Sequence, residues 1–132
     1  MIVDSSVLVA MLLDEPEGGA LAARLDADPI VISAATLTEA SIVLWGRAGD
    51  LMVQKLDELL EGIGATVASV DEQQARIARD AYRRYGRGSG HPARLNYGDC
   101  FSYALAIARD EPLLFKGDDF VHTDVRIATD EA

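Results

Sequence analysis

The sequence predicts an α/β sandwich with a mostly parallel central sheet. Three observations carry this expectation. Short apolar, β-branched runs alternate with longer segments of helical period along the chain. The chain has 132 residues, enough for one domain with little room for a second core. Hydrophobic residues make up 49% and charged residues 26%, which fits a globular protein and excludes a disordered chain, a collagen-like repeat or a coiled coil.

The elements follow in order. Met1 to Val3 reads as a buried strand with Asp4 at its C-terminal end, and Val7 to Leu13 as a helix broken by Asp14-Glu15-Pro16. Glu17 to Leu25 is a second helix. Pro29 turns the chain into Ile30-Val31-Ile32, a second strand. Thr36 to Arg47 is helical up to Gly49. Asp50 is expected to cap the next helix, whose Met52, Leu56, Leu59, Leu60 and Ile63 repeat at helical spacing. Thr66 to Val70 is a third strand. Asp71 opens a long helix to about Arg87, with Ala78, Ala81, Tyr82 and Tyr85 inward. A Gly-rich loop, Gly86 to Pro92, leads to a nearly all-apolar helix, Asn96 to Arg109. Leu113 to Phe115 is a fourth strand, and Val125 to Ile127 a candidate fifth. One domain over residues 1–132, with four to five strands, is the expectation.

Twenty-two acids against twelve bases give a net charge of −10. Such a chain does not hold a polyphosphate by its global field. One cysteine, Cys100, forbids an intrachain disulfide and a cysteine-built zinc site. Two histidines, His91 and His122, are too few for a histidine-rich metal site. No basic leader and no apolar run of about 20 residues is present, so a cytoplasmic protein without a membrane span is expected.

Four acidic positions lie in apolar or Gly-flanked settings: Asp4, Glu39, Asp99 and the Asp118-Asp119 pair. Strand ends and helix starts share one edge of an α/β sheet, and sites collect there. Each acid also has a plain structural reading. Asp4 suits a helix cap, while Thr36 with Glu39 and Asn96 with Asp99 have capping-box spacing. Asp118 or Asp119 suits a turn. Four carboxylates at one edge would repel one another without a cation. Hard oxygen donors without His or Cys point to Mg²⁺, with Mn²⁺ as the alternative.

The runs MIVDSSVLVAMLLDEPE, SAATLTEASIVL, LNYGDCFSYALA and PLLFKGDDFVHTDV resemble the PIN-domain nucleases, and most of all the VapC toxins of toxin–antitoxin pairs. The resemblance spans nearly the whole chain in the right order. It implies a three-layer α/β/α sandwich and a metal-dependent endoribonuclease. Its first three acids fall on Asp4, Glu39 and Asp99. Where many members carry the fourth, this chain has Gly117, leaving Asp118, the favoured candidate, and Asp119. Ser6 occupies a supporting position beside the first acid. The implied partner is an antitoxin whose basic segment blocks the site, alongside a homodimer contact. Mg²⁺ held by these acids would polarise a phosphodiester and activate water.

Six arginines and one aspartate between residues 76 and 94 make that stretch locally +5, so the rest of the chain carries −15. Arg76, Arg79, Arg83 and Arg87 are spaced by three, four and four, which expects one helical face for RNA backbone contacts. The acidic remainder suits a basic partner. Two other function classes stay open from sequence. One is a Mg²⁺-dependent phosphoryl-transfer domain (phosphatase or phosphoacceptor), for which Lys116 is suitably late. The other is a non-catalytic binding module whose acids are only caps.

Overall fold

The computed structural model describes residues 1–26 and 28–128. Four parallel strands, β1 (Ile2–Val3), β2 (Val31–Ser33), β3 (Thr66–Ala68) and β4 (Leu113–Leu114), form one sheet in the order β3-β2-β1-β4. Six helices connect them: α1 (Ser5–Leu12), α2 (Gly18–Leu25), α3 (Ala34–Ala48), α4 (Asp50–Gly62), α5 (Glu72–Tyr85) and α6 (Tyr97–Arg109).

The period-2 alternation of each strand splits the molecule into two cores. Ile2, Val31 and Leu113 face α5 and α6, packing with Ala78, Ala81, Leu95, Tyr103 and Leu105. Val3, Ile32 and Leu114 face the other way and pack with Val7, Leu8, Leu44, Leu56 and Leu60 of α1, α3 and α4. This is the expected α/β/α sandwich. The strands are two or three residues long; β1, β2 and β4 are buried on both faces, while β3 at the sheet edge is largely exposed.

Several boundaries differ from the sequence reading, each for a local reason. Ser33 caps α3, accepting from the Ala35 amide at 3.1 Å, so the helix starts two residues before Thr36. Gly49, at φ +79°, occupies the cap position of α4, and Asp50 is its first helical residue. Asp71 caps α5 by accepting from the Gln74 amide at 2.9 Å. That helix ends at Tyr85, not near Arg87. A Cβ on Gly86 would stand 2.3 Å from the Tyr82 carbonyl oxygen, and the chain turns away through a bridge between Gly86 and Leu95. Tyr82, expected inward, is 45% exposed. Val125 to Ile127 adds one parallel bridge from Ile127 to Leu113 rather than a fifth strand. No helix among the described residues is long and apolar enough to cross a membrane.

The strand order places the site. Strands β1 to β3 step one way across the sheet, and β4 returns to the far side of β1. The crevice beyond the C-terminal ends of β1 and β4 is therefore the topological switch point. Helices α1 and α3 begin at that edge because they follow β1 and β2. Helix α6 begins there because it runs back antiparallel to the β4 it precedes.

Candidate active site

Asp4 follows β1 directly and caps α1, its Oδ2 accepting from the Ser6 amide at 3.1 Å. Its other oxygen accepts from the Ser102 hydroxyl at 2.6 Å. Asp4 is 2% exposed, so both of its oxygens are held by the protein rather than by bulk water. The capping reading of Asp4 is correct, and it leaves the carboxylate at the strand end all the same.

Glu39 is not the partner in a capping box, because α3 begins upstream of Thr36. Its Oε1 accepts from the Ser5 hydroxyl at 2.6 Å. The carboxylate lies against Gly98 at the start of α6. A Cβ on Gly98 would stand 1.7 Å from Glu39 Oε2 and 2.3 Å from its Cδ. Only glycine lets these two groups approach so closely. Burial raises the Glu39 carboxyl above its ordinary range, the Ser5 hydroxyl opposes this, and the Asp4 charge adds to it.

Asp99 does make the expected capping box. The Asn96 side chain accepts from the Asp99 amide at 2.8 Å, and Asp99 Oδ2 accepts from the Asn96 amide at 3.0 Å. Asp99 is buried, and burial pushes its carboxyl up to about 7. The Asn96 amide opposes that rise, and the charges of Asp4, Asp119 and Glu39 reinforce it. The charges that act on Asp99 and Glu39 among the described residues are those of other acids, so these acids are within electrostatic reach of one another.

The loop after β4 is tied to α1 by the Lys116 amide, which donates to Ser6 Oγ at 3.0 Å. Ser6 thus supports the site through two bonds, its amide to Asp4 and its hydroxyl to this loop. Gly117 sits at φ +98°, a conformation that suits glycine, and Asp118 and Asp119 follow it, both exposed. The charge felt by Asp99 from this pair is that of Asp119. Asp119 is thus the member of the pair whose charge couples to Asp99, whereas the sequence reading preferred Asp118.

Among the described residues, no three carboxylate, imidazole or thiol groups are gathered into a ready-made cation cage. The donor set still fits a hard divalent cation. Mg²⁺ keeps several of its waters and uses one or two carboxylates plus substrate oxygens, so a partly open set of acids suits it. The Asp99 carboxyl is raised first by burial, and the neighbouring acids add to the rise, so a bound cation would relieve part of it.

The arginine row is only partly as expected. Arg76, Arg79 and Arg83 lie on α5, while Arg87 lies beyond its end. Arg76 pairs with Glu72 at 2.9 Å, and Arg83 with Asp80 at 2.7 Å. Arg84 lies 3.5 Å from Asp80 and 3.7 Å from Asp124. No ion pair within 4.0 Å engages Arg79 or Arg87 among the described residues. Lys116 is committed elsewhere, pairing with Glu15 and lying 3.4 Å from Glu17.

Sequence reasoning missed Ser5, Gly98, Ser102 and the role of Thr36. A faint signal existed for the last two. Thr36 precedes Glu39 by three residues and Ser102 follows Asp99 by three, so each shares a helical face with an acid. Beside the acids lies a cavity of about 380 Å³ between α3 and α6, lined by Glu39, Ile42, Val43, Tyr97, Gly98 and Phe101. Trp45 is 51% exposed on α3, whereas Val7, Leu8, Leu56 and Leu60 of the other apolar stripes are core.

The PIN domain family model matches residues 1–126. Ribonuclease VapC28 of Mycobacterium tuberculosis is 53% identical over 131 residues, covering 98% of each chain. The crystal structure of Mycobacterium tuberculosis VapC20, titled a sarcin-ricin loop cleaving toxin, superposes with a TM-score of 0.77 at 17% identity, over 94% of this chain and 95% of that one. A toxin-antitoxin complex from Klebsiella pneumoniae has a chain with a TM-score of 0.71 at 16% identity, over 96% and 95%. At such identities the structures speak to the fold.

Proposed function

The chain belongs to the PIN-domain family, and from that premise we propose that it is a divalent-metal-dependent endoribonuclease, the toxin of a type II toxin–antitoxin pair. The observation that carries this reading is the set of Asp4, Glu39 and Asp99 at one sheet edge, withdrawn from water and acting on one another as like charges. The whole chain, residues 1–132, acts as one nuclease domain on this reading.

Asp4 and Asp99 would hold the cation, with Asp119 and Glu39 as the further acids that would complete its set. When bound, Mg²⁺ or Mn²⁺ polarises a phosphodiester and lowers the pKa of a water. Asp4 is held through both oxygens and so keeps one orientation. Glu39 is fixed by Ser5 and stands ready to orient the attacking water and take its proton at Oε2. Asp99, raised by burial and its acidic neighbours, would give up its proton to serve as a carboxylate ligand. Arg79 and Arg87, which have no ion-pair partner among the described residues, are the strongest candidates in the row for RNA phosphates, ahead of Arg76 and Arg83.

The acidic remainder of the chain suits a cognate antitoxin with a basic segment, which would block the site by occupying the place of the cation-bound phosphate. The exposed row Ile42, Val43 and Trp45 is the best-placed surface for the homodimer contact. The phosphoryl-transfer reading is disfavoured because Lys116 is held by two glutamates away from the acids.

The test is cleavage of a defined single-stranded RNA by purified, antitoxin-free protein with Mg²⁺, Mn²⁺ or EDTA. Cleavage with either metal, lost in EDTA and in Asp4→Asn or Asp99→Asn, is expected. Cleavage that persists in EDTA or in both variants would overturn the reading.

A further inference from the structure

Three side chains are almost wholly withdrawn from solvent next to the acids: Asp4 at 2%, Thr36 at 1% and Ser102 at 0%. Buried polar groups of this kind are expected to be hydrogen-bonded. Here they are bonded to one another. Ser102 Oγ donates to Asp4 Oδ1 at 2.6 Å, and Thr36 Oγ1 lies 3.2 Å from Ser102 Oγ. The direction of the chain is set by chemistry. An ionised carboxylate only accepts, so Ser102 spends its single proton on Asp4. The contact with Thr36 then requires Thr36 to donate to Ser102.

This chain of hydroxyls links all three acid-bearing elements. Thr36 lies on α3 one turn before Glu39, Ser102 lies on α6 one turn after Asp99, and Asp4 ends β1. All three of its members are buried. A donor on Oδ1 and the Ser6 amide on Oδ2 leave each Asp4 oxygen a free lone pair and stop the carboxylate from turning.

We propose that Ser102, relayed by Thr36, is a positioning residue that fixes the orientation of Asp4 toward a divalent cation. The inference rests on the metal-dependent reading above and adds to it two residues that touch neither substrate nor cation. Outer-shell partners of metal-binding groups typically carry 10–100-fold in affinity, and hydroxyl chains strengthen their terminal bond by mutual polarisation.

The experiment measures Mn²⁺ binding to the RNA-free protein by titration calorimetry and electron paramagnetic resonance, with thermal unfolding of the cation-free protein alongside. Ser102→Ala is expected to weaken Mn²⁺ binding on the order of 10-fold or more. Thr36→Val keeps the shape and removes the relay proton, so a smaller loss in the same direction is expected. Thr36→Ser restores the proton and should restore wild-type affinity. Wild-type affinity in a folded Ser102→Ala protein overturns the inference, as does wild-type affinity in Thr36→Val. Should Ser102→Ala not fold, the Thr36 pair decides the matter alone. Failure of the wild-type protein to bind Mn²⁺ would instead sink the metal-dependent reading itself, so the two failures are distinguishable.

Discussion

Replacing Gly98 by alanine separates catalysis from stability. The new Cβ would stand 1.7 Å from Glu39 Oε2 and 2.6 Å from Oε1. Ordinary contact requires the carboxylate to withdraw by roughly 1.5–2 Å. That displacement breaks the 2.6 Å bond from Ser5 and takes Glu39 out of the site. A shift of this size at a reacting group costs about 100-fold in rate, or about 2.7 kcal/mol of barrier. The fold bears the change easily. The obstructing atom is the end of a flexible side chain, and alanine in a helix is favoured over glycine by about 0.5–1 kcal/mol. Loss of the Ser5 bond offsets that gain by a similar or somewhat larger amount. Gly98→Ala should therefore unfold within a few degrees of the parent while RNA cleavage falls about 100-fold. The decisive assay is a double-mutant cycle with Glu39→Ala. In that background the obstruction is gone, and Gly98→Ala should cost nothing further. Cleavage close to that of the parent in Gly98→Ala, or an equal loss in both backgrounds, would refute the steric argument.

The pH dependence of the cation-free protein has a definite sign. An unfolded aspartate titrates near 3.9, while burial and its acidic neighbours raise folded Asp99 to about 7. The stabilisation from binding that proton is complete below about pH 4 and is lost as pH rises to about 7. Denaturant unfolding of cation-free protein should show stability falling between about pH 4 and 7. Asp99→Asn should flatten that slope, and saturating Mn²⁺ should cancel it in the parent. Because the cation competes with the Asp99 proton, its affinity should fall about tenfold per pH unit below pH 7, read by calorimetry. Arg79→Ala and Arg87→Ala should each lower the slope of log affinity for single-stranded RNA against log salt by about 0.7, whereas Arg83→Ala should change it less. Lys116→Met should leave RNA cleavage near the parent's level, and a complete loss would revive phosphoryl transfer through that lysine.

The legible part of the site was the set of acids, because Asp4, Asp99 and the Asp118-Asp119 pair lie at element boundaries and Glu39 lies in an apolar stretch early in α3, where an isolated carboxylate needs a reason. The capping-box spacing of Asn96 and Asp99 was legible too, and proved compatible with a place in the site. The same spacing misled at Thr36 and Glu39, because Ser33 offers a cap three residues earlier and the helix starts there. The helical face assigned to Arg87 failed because the backbone at Gly86 passes too close to Tyr82 for any side chain, and the helix stops. Charge counting could not show that Glu72 and Asp80 already occupy two of the arginines.

By itself the sequence determined the layering of the fold and the edge at which function collects. Alternation of period 2 and helical period are local properties of the chain, and parallel strands place the helices that directly follow β1 and β2 at one edge. What only the tertiary structure decided are contacts between elements far apart in the chain: Ser5 on Glu39, Ser102 on Asp4 and Thr36 on Ser102, Glu39 against Gly98, and Asp119 rather than Asp118 toward Asp99. A carboxylate's orientation and charge depend on the few atoms within hydrogen-bonding reach. Those atoms arrive from distant helices, and no local pattern encodes them.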